Sequence, residues 1–219
     1  GRKGGCPVVE AIIFDMDGVL FDTEKYYYDR RANFLAQKGI SIDHLPPSFF
    51  IGGNTKQVWE NILRDDYDNW DVPTLQEEYN AYKQDNPLPY KELIFPDVFK
   101  ALNEVNSRGL KIGLASSSVK ADILRALEEN HLNGFFDVVL SGEEFKESKP
   151  NPEIYLTALQ HLNVEANQAL IIEDSEKGIA AGVAAGVEVW AIKDNRFGMD
   201  QSAAKGLLDK LIDVLDLLK

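Results

Sequence analysis

Ala11-Ile12-Ile13-Phe14-Asp15-Met16-Asp17-Gly18-Val19 is the stretch on which the fold turns. Four apolar residues are followed by two carboxylates and a glycine. A short apolar run closed by turn residues reads as a buried strand. In an open parallel sheet, the carboxyl end of a strand is where ligands bind. Acids two apart on an extended chain point to opposite faces. Asp15 is therefore placed to attack a ligand, and Asp17 faces the same ligand only if the chain bends at Gly18.

The same pattern recurs further along. Apolar runs rich in branched residues stand at 110–115, 138–140, 169–172 and 187–192, and amphipathic stretches at 97–107, 120–130, 152–162 and 176–185 alternate with them. Such alternation predicts an α/β fold with a doubly wound parallel sheet covered by helices on both faces. Right-handed crossovers leave few topologies. Residues 24–91 differ. They hold Tyr26-Tyr27-Tyr28, helical periodicity at 34–38, 58–63 and 75–83, and breaks at Pro46-Pro47, Gly52-Gly53, Pro73 and Pro87-Leu88-Pro89, with no strand pattern. An inserted α-helical cap domain over 24–91 is expected, on a core domain of 8–23 and 92–219. Its two ends should lie close together at the sheet's carboxyl edge. Leu207, Leu208, Leu211, Ile212, Leu215 and Leu218 sit at helical spacing, so 203–218 is expected to close the core as a helix.

Bulk composition narrows the class. The chain has 219 residues, 44% hydrophobic and 27% charged, which suits a soluble globular protein. No apolar run reaches the roughly 20 residues of a membrane span, and Gly1-Arg2-Lys3-Gly4-Gly5 lacks the apolar centre of a signal peptide. Cys6 is the single cysteine, which excludes an internal disulfide and a cysteine-based zinc site. A cytoplasmic location is expected. The formal charge of −13, from 36 acids against 23 bases, argues against nucleic-acid and anionic-membrane partners. A small anionic substrate stays compatible with this charge if a local cation or a metal ion serves it, and a monomer is the default expectation.

The later runs end in polar groups. Residues 110–115 end at Ser116-Ser117-Ser118, and 169–172 end at Glu173-Asp174-Ser175, with the loop Glu147-Ser148-Lys149-Pro150-Asn151-Pro152 between them. A doubly wound sheet gathers these groups around Asp15 and Asp17. Two acid pairs, a lysine and a hydroxyl cluster suit phosphoryl transfer. Four acids alone would repel one another and a phosphate. A Mg2+ ion, which favours about six oxygen ligands, resolves this. Asp15 and Asp174 are the expected carboxylate ligands, with Glu173 binding directly or through water. Lys149 is the second cation. Ser116 and Ser117, with backbone N–H groups at the following helix, supply donors. Taken alone, Lys149 reads first as a solvated loop lysine and Ser116 as a helix N-cap, and for Ser175 the N-cap is the preferred reading.

The motifs together resemble the haloacid dehalogenase superfamily, in the branch with a helical cap after the first strand. Four stretches match its signatures in order: DMDGVLFDT at 15–23; Ser116 after LKIGLA; Lys149 in SKPNPEIY; and Glu173-Asp174 in IIEDSEKGIAAGVAAG. The resemblance spans essentially the whole chain. It implies that Asp15 is a nucleophile forming an aspartyl-phosphate. It implies that Asp17 is the general acid and then the base, and also gives its backbone carbonyl to Mg2+. It further implies that Ser116 and Lys149 hold the phosphoryl group, that Lys149 also restrains Asp15, and that Asp174, helped by Glu173, anchors the metal. Gly18 would permit the turn that swings Asp17 inward, and 19–22 would form a small flap moving with the cap.

Asp17 argues against dehalogenation, since a halide leaves without a proton. The overall pattern resembles β-phosphoglucomutase and the sugar-phosphate and nucleotide phosphatases. The mutase's cap histidine falls at Tyr27, and its basic cap loop falls at Ile51-Gly52-Gly53-Asn54-Thr55, which has no Arg and only Lys56 beyond it. A site lacking those cations should hold a bisphosphate poorly. A Mg-dependent phosphatase of small phosphomonoesters, sugar or polyol phosphates, is therefore expected. β-Phosphoglucomutase-like phosphotransfer is the alternative, and a non-catalytic phosphate-binding protein ranks below it. A phosphonatase is disfavoured, Lys25 being the nearest candidate for its cap lysine. Tyr27, Gly52, Gly53, Asn54 and Thr55 are the expected substrate-specificity residues, with the tyrosines also open to a plain packing role.

Overall fold

The computed structural model describes residues 8–53 and 57–219. Six strands form one sheet: β1 (Ala11–Phe14), β2 (Lys111–Ser116), β3 (Val138–Ser141), β4 (Ala169–Glu173), β5 (Glu188–Ile192) and β6 (Gly206–Leu208). Their order is β3-β2-β1-β4-β5-β6, and every pairing is parallel. Phe14 stands opposite Leu114 on one side and Ile172 on the other. Asp15 thus leaves the sheet level with the ends of β2 and β4. Strand order reverses between β1 and β4, which makes that edge the crevice of the fold.

The two-residue period of β1 divides the core. Ile12 and Phe14 enter one cluster with Leu102 and Val105 of α5 (Val98–Ser107) and Ile123 and Leu127 of α6 (Lys120–Glu129). Ala11 and Ile13 enter the other, with Ile154 and Leu159 of α7 (Glu153–Leu162) and Ile179 of α8 (Glu176–Ala184). Both faces are dry, so β1 reads as a continuous apolar run and not as an alternating one. Each Ile or Phe fully buried there contributes about 1.5–3 kcal/mol.

The chain's end departs from the single helix expected over 203–218. Gly206–Leu208 pairs with β5 as an edge strand, and Leu211–Leu218 forms a 3-10 helix whose Leu211 and Val214 are buried in the first cluster. Of the spaced leucines, Leu208 and Leu211 are buried and Ile212, Leu215 and Leu218 pack partly buried on the core, while Leu207 is exposed. Gly206 lets the chain pair at this edge, because a Cβ there would lie 2.3 Å from the Trp190 ring.

Between β1 and α5 the described chain is helical: α1 (Glu24–Gln37), a 3-10 turn at Pro47–Phe50, α2 (Val58–Leu63), a 3-10 turn at Arg64–Asn69, α3 (Val72–Asp85) and α4 (Tyr90–Leu93). α3 starts where Asp71 accepts from Thr74 N at 3.2 Å, with Pro73 in its first turn. Phe34, Trp59, Ile62, Leu75 and Tyr79 build a third hydrophobic cluster in this segment. Its two ends meet. Asp22 N donates to Leu93 O at 2.8 Å, and Phe95 N donates to Leu20 O at 3.0 Å. Among the described residues, no helix is long and apolar enough to cross a membrane.

Candidate active site

Asp15 continues the ladder of β1 for one bond, its N–H donating to Ile172 O at 2.9 Å. The chain then turns back on itself. Leu20 N donates to Met16 O at 2.8 Å, and Gly18 N donates to Phe21 O at 2.8 Å. Met16, Val19, Leu20 and Phe21 are buried, so this turn is anchored by its own apolar side chains. Gly18 has φ +83°, and a Cβ there would lie 1.9 Å from Asp174 Oδ2. Glycine is needed twice, for the left-handed backbone and for the approach to the acid.

The turn brings the Asp17 side chain inward. Thr23 Oγ1 donates to Asp17 Oδ1 at 2.6 Å, and Ser118 Oγ donates to Asp17 Oδ2 at 2.6 Å. Burial raises the Asp17 carboxyl above its ordinary value, while the hydroxyls of Ser118, Thr23 and Tyr27 oppose the rise. Thr23 closes the stretch at 15–23 and Ser118 the serine run at 116–118; the sequence alone assigns neither a role, and a hydroxyl near each matched residue is the only sign they carry.

Lys149 arrives from the loop between β3 and α7 and is 1% exposed. Its Nζ donates to Asp15 Oδ1 at 3.1 Å, Ala115 O at 2.9 Å and Glu173 Oε2 at 2.7 Å. Burial works to lower the Lys149 ammonium, but attraction to Asp15 and Glu173 outweighs it and holds the group charged. Tyr155 of α7, an apolar-face residue by sequence, also donates to Glu173 Oε2. Burial and Glu173 keep the Tyr155 phenol well above its usual range, hence a donor. Ser116 is buried at the end of β2, and its Oγ accepts from Ser118 N at 3.1 Å. It does not cap α6. Ser117 Oγ instead donates to Gly52 O at 2.9 Å, which ties β2's end to the loop at 51–53. Ser175 is the N-cap of α8, accepting from Gly178 N at 3.0 Å.

Asp15, Glu173 and Asp174 present carboxylate oxygens within 4.8 Å of one another. Burial raises both Asp15 and Asp174 well above ordinary carboxylates; Glu173 adds repulsion to Asp15, and Glu24 then Glu173 add it to Asp174. Lys149 answers Asp15 and Glu173. Asp174 Oδ1 is buried without a hydrogen-bond partner. An orphaned carboxylate oxygen among converging acids fits a divalent cation bound through oxygen.

Of the expected specificity residues, Tyr27 lies over the acids. Its OH is 3.3 Å from Ser118 Oγ and 3.2 Å from Tyr90 OH. Gly52 and Gly53 bring the loop at 51–53 against Ser175 and Lys149. A Cβ would lie 2.4 Å from Ser175 Oγ at Gly52 and 2.3 Å from Lys149 O at Gly53. Asn54 and Thr55 lie outside the described residues. The seam beside this loop holds a cavity of about 310 Å³ lined by Pro46, Phe49, Ile51, Lys177, Met199 and Asp200. None of the converging acids lines it, so the chemistry is assigned from the side-chain cluster.

Known proteins resemble this chain in sequence and fold. A family model described as haloacid dehalogenase-like hydrolase matches residues 12–192. The chain is 30% identical to a phosphorylated carbohydrates phosphatase from Thermotoga maritima over 221 residues, 96% of this chain and 99% of that one. It is 29% identical to a phosphoglycolate phosphatase from Aquifex aeolicus over 182 residues, 82% of this chain and 83% of that one. The crystal structure of β-phosphoglucomutase from Clostridium difficile aligns with a TM-score of 0.77 at 26% identity, covering 94% of this chain and 93% of that one.

Proposed function

The chain belongs to the haloacid dehalogenase-like hydrolases, and we propose that it is a Mg2+-dependent phosphatase of small phosphomonoesters, sugar or polyol phosphates, acting through an aspartyl-phosphate. The observation that carries the reading is the second carboxyl. Asp17 is turned into the site by Thr23 and Ser118, where an ester's leaving oxygen needs a proton.

In the first step the Asp15 carboxylate attacks phosphorus and the bond to the leaving oxygen breaks. Asp17 gives its proton to that oxygen and the alcohol departs. In the second step water attacks the same phosphorus, Asp17 takes the water's proton, and the Asp15–phosphoryl bond breaks to release phosphate. Lys149 holds Asp15 in place and neutralises charge on the phosphoryl oxygens. Asp15 and Asp174, with Glu173 beside them and the Asp17 carbonyl, would hold the ion. When bound, it supplies charge stabilisation to the phosphoryl oxygens. Residues 8–23 and 92–219 serve as the core domain and 24–91 as the cap; the separate hydrophobic cluster around Phe34 and Trp59 supports that division.

The test is Mg2+-dependent release of phosphate from p-nitrophenyl phosphate and from a panel of sugar and polyol phosphates. No turnover on any of them would overturn the proposal in favour of a phosphate-binding role. The likeness to β-phosphoglucomutase keeps phosphotransfer as the second reading. It predicts conversion of β-glucose 1-phosphate with a bisphosphate primer in preference to hydrolysis.

A further inference from the structure

The loop before α7 and the first turn of α7 deliver two donors to one carboxylate. The buried face of that helix, Tyr155, Ala158, Leu159 and Leu162, packs on the sheet at helical spacing. Tyr155 opens this face, so its ring lies in the core and its hydroxyl reaches the end of β4. There it donates to Glu173 Oε2, and Lys149 Nζ donates to the same oxygen at 2.7 Å. Tyr155, Lys149 and Glu173 are each 1% exposed or less, so water does not compete for these bonds. The other oxygen, Oε1, accepts from Asp174 N at 3.3 Å and lies against the backbone of α8, where a Cβ at Gly178 would come within 2.0 Å of it. The Glu173 carboxylate is therefore fixed from both sides.

The Lys149 ammonium has three protons, and three acceptors take them: Asp15 Oδ1 at 3.1 Å, Ala115 O at 2.9 Å and Glu173 Oε2 at 2.7 Å. Asp15 holds the longest of the three. A carboxylate oxygen that serves two donors draws on each less than one that serves a single donor. The Tyr155 hydroxyl thus moderates the claim of Glu173 on the ammonium. Without it, Oε2 keeps Lys149 alone, and the pair tightens in a site that water does not screen. We infer that Tyr155 is a positioning residue: by sharing Glu173 with Lys149, its hydroxyl keeps the ammonium available to Asp15 and to the phosphoryl group that Asp15 receives. This role is separable from packing, because the ring, centred 5.0 Å from Lys149 Nζ, stays in place when only the hydroxyl is removed.

This inference rests on the phosphatase reading, and the two can fail separately. The experiment is Tyr155→Phe, with inorganic phosphate as a competitive inhibitor of p-nitrophenyl phosphate turnover at saturating Mg2+. The Ki of phosphate is expected to rise about tenfold, the scale of one weakened hydrogen bond to a charged group; a Ki does not depend on how much protein folds. kcat/KM should fall by the same factor for p-nitrophenyl phosphate and for glycerol 1-phosphate, because Lys149 serves the phosphoryl group and not the departing alcohol. Mg2+ should stabilise the variant in thermal unfolding as it does the native protein, because Glu173 keeps Lys149. An unchanged Ki in a folded variant gives the hydroxyl a packing role only and overturns the inference, while native turnover keeps the phosphatase reading. A loss confined to glycerol 1-phosphate would put the hydroxyl's effect at Asp17, and a lost Mg2+ shift would put it at the metal; either overturns the inference. Tyr155→Leu, without hydroxyl or ring, should raise the Ki likewise and decides the matter where the Phe variant does not fold. If neither folds, the hydroxyl is a folding group and the inference falls. Absence of native turnover on every ester removes both readings.

Discussion

Lys149 Nζ meets Asp15 Oδ1 at 3.1 Å, although 134 positions separate them in the chain. That contact joins the loop before α7 to the end of β1, and the same ammonium reaches Glu173 at the end of β4. Three elements far apart in sequence share one buried charge.

Removing that charge should cost more than activity. Lys149→Ala leaves Asp15 and Glu173 buried without a counter-ion, and breaking such a pair costs about 3–5 kcal/mol. Urea unfolding in chelator should show this loss. A midpoint equal to that of the native protein would contradict the role of Lys149 in holding the acids together.

Asp15→Asn keeps the shape of the side chain and removes the nucleophile. Turnover of every ester should drop by roughly a thousandfold or more, as expected when a nucleophile acting as part of a unit is removed. Circular dichroism should report the native fold. Near-native rates in a folded variant would exclude Asp15 as the attacking group.

The orphaned oxygen of Asp174 makes metal binding readable without catalysis. Mg2+ at 100 times its Kd should stabilise the native protein by about 2.7 kcal/mol relative to chelator. Asp174→Asn should lose most of that increment in thermal unfolding. An undiminished shift in the variant would place the ion elsewhere.

Ser118 should be visible in the pH profile. Its hydroxyl lowers a carboxyl that burial has raised, so it favours the ionised form of Asp17. Removing it in Ser118→Ala raises Asp17 further, and the protonated acid then survives to higher pH. The alkaline limb of kcat/KM for an alkyl phosphate should move up in pH. A limb that stays or moves down would deny that the Ser118 bond bears on Asp17.

Much of this site was legible in sequence because strand ends are legible. Asp15, Ser116 and Glu173-Asp174 each follow an apolar run, and parallel strands of similar length must end together. Lys149 needed its motif, since a loop lysine carries no periodicity of its own. Tyr155 escaped because its ring is core packing and only its hydroxyl is functional; a helical apolar position cannot announce what its polar tip will touch. The break at Gly206 was hidden by leucines that satisfy helical spacing equally well, and the edge of β5 decided the outcome.

The loop at 51–53 is seated by absence of side chains. Gly52 and Gly53 let its backbone lie against Ser175 and Lys149, and Ser117 is tied to the Gly52 carbonyl. A loop so closely fitted tolerates little sequence drift at those positions. Selection for a new substrate would act more freely on α1, where Tyr27 stands beside Ser118 without supporting the seam. Diversification in descendants of this chain should accumulate on that helix first.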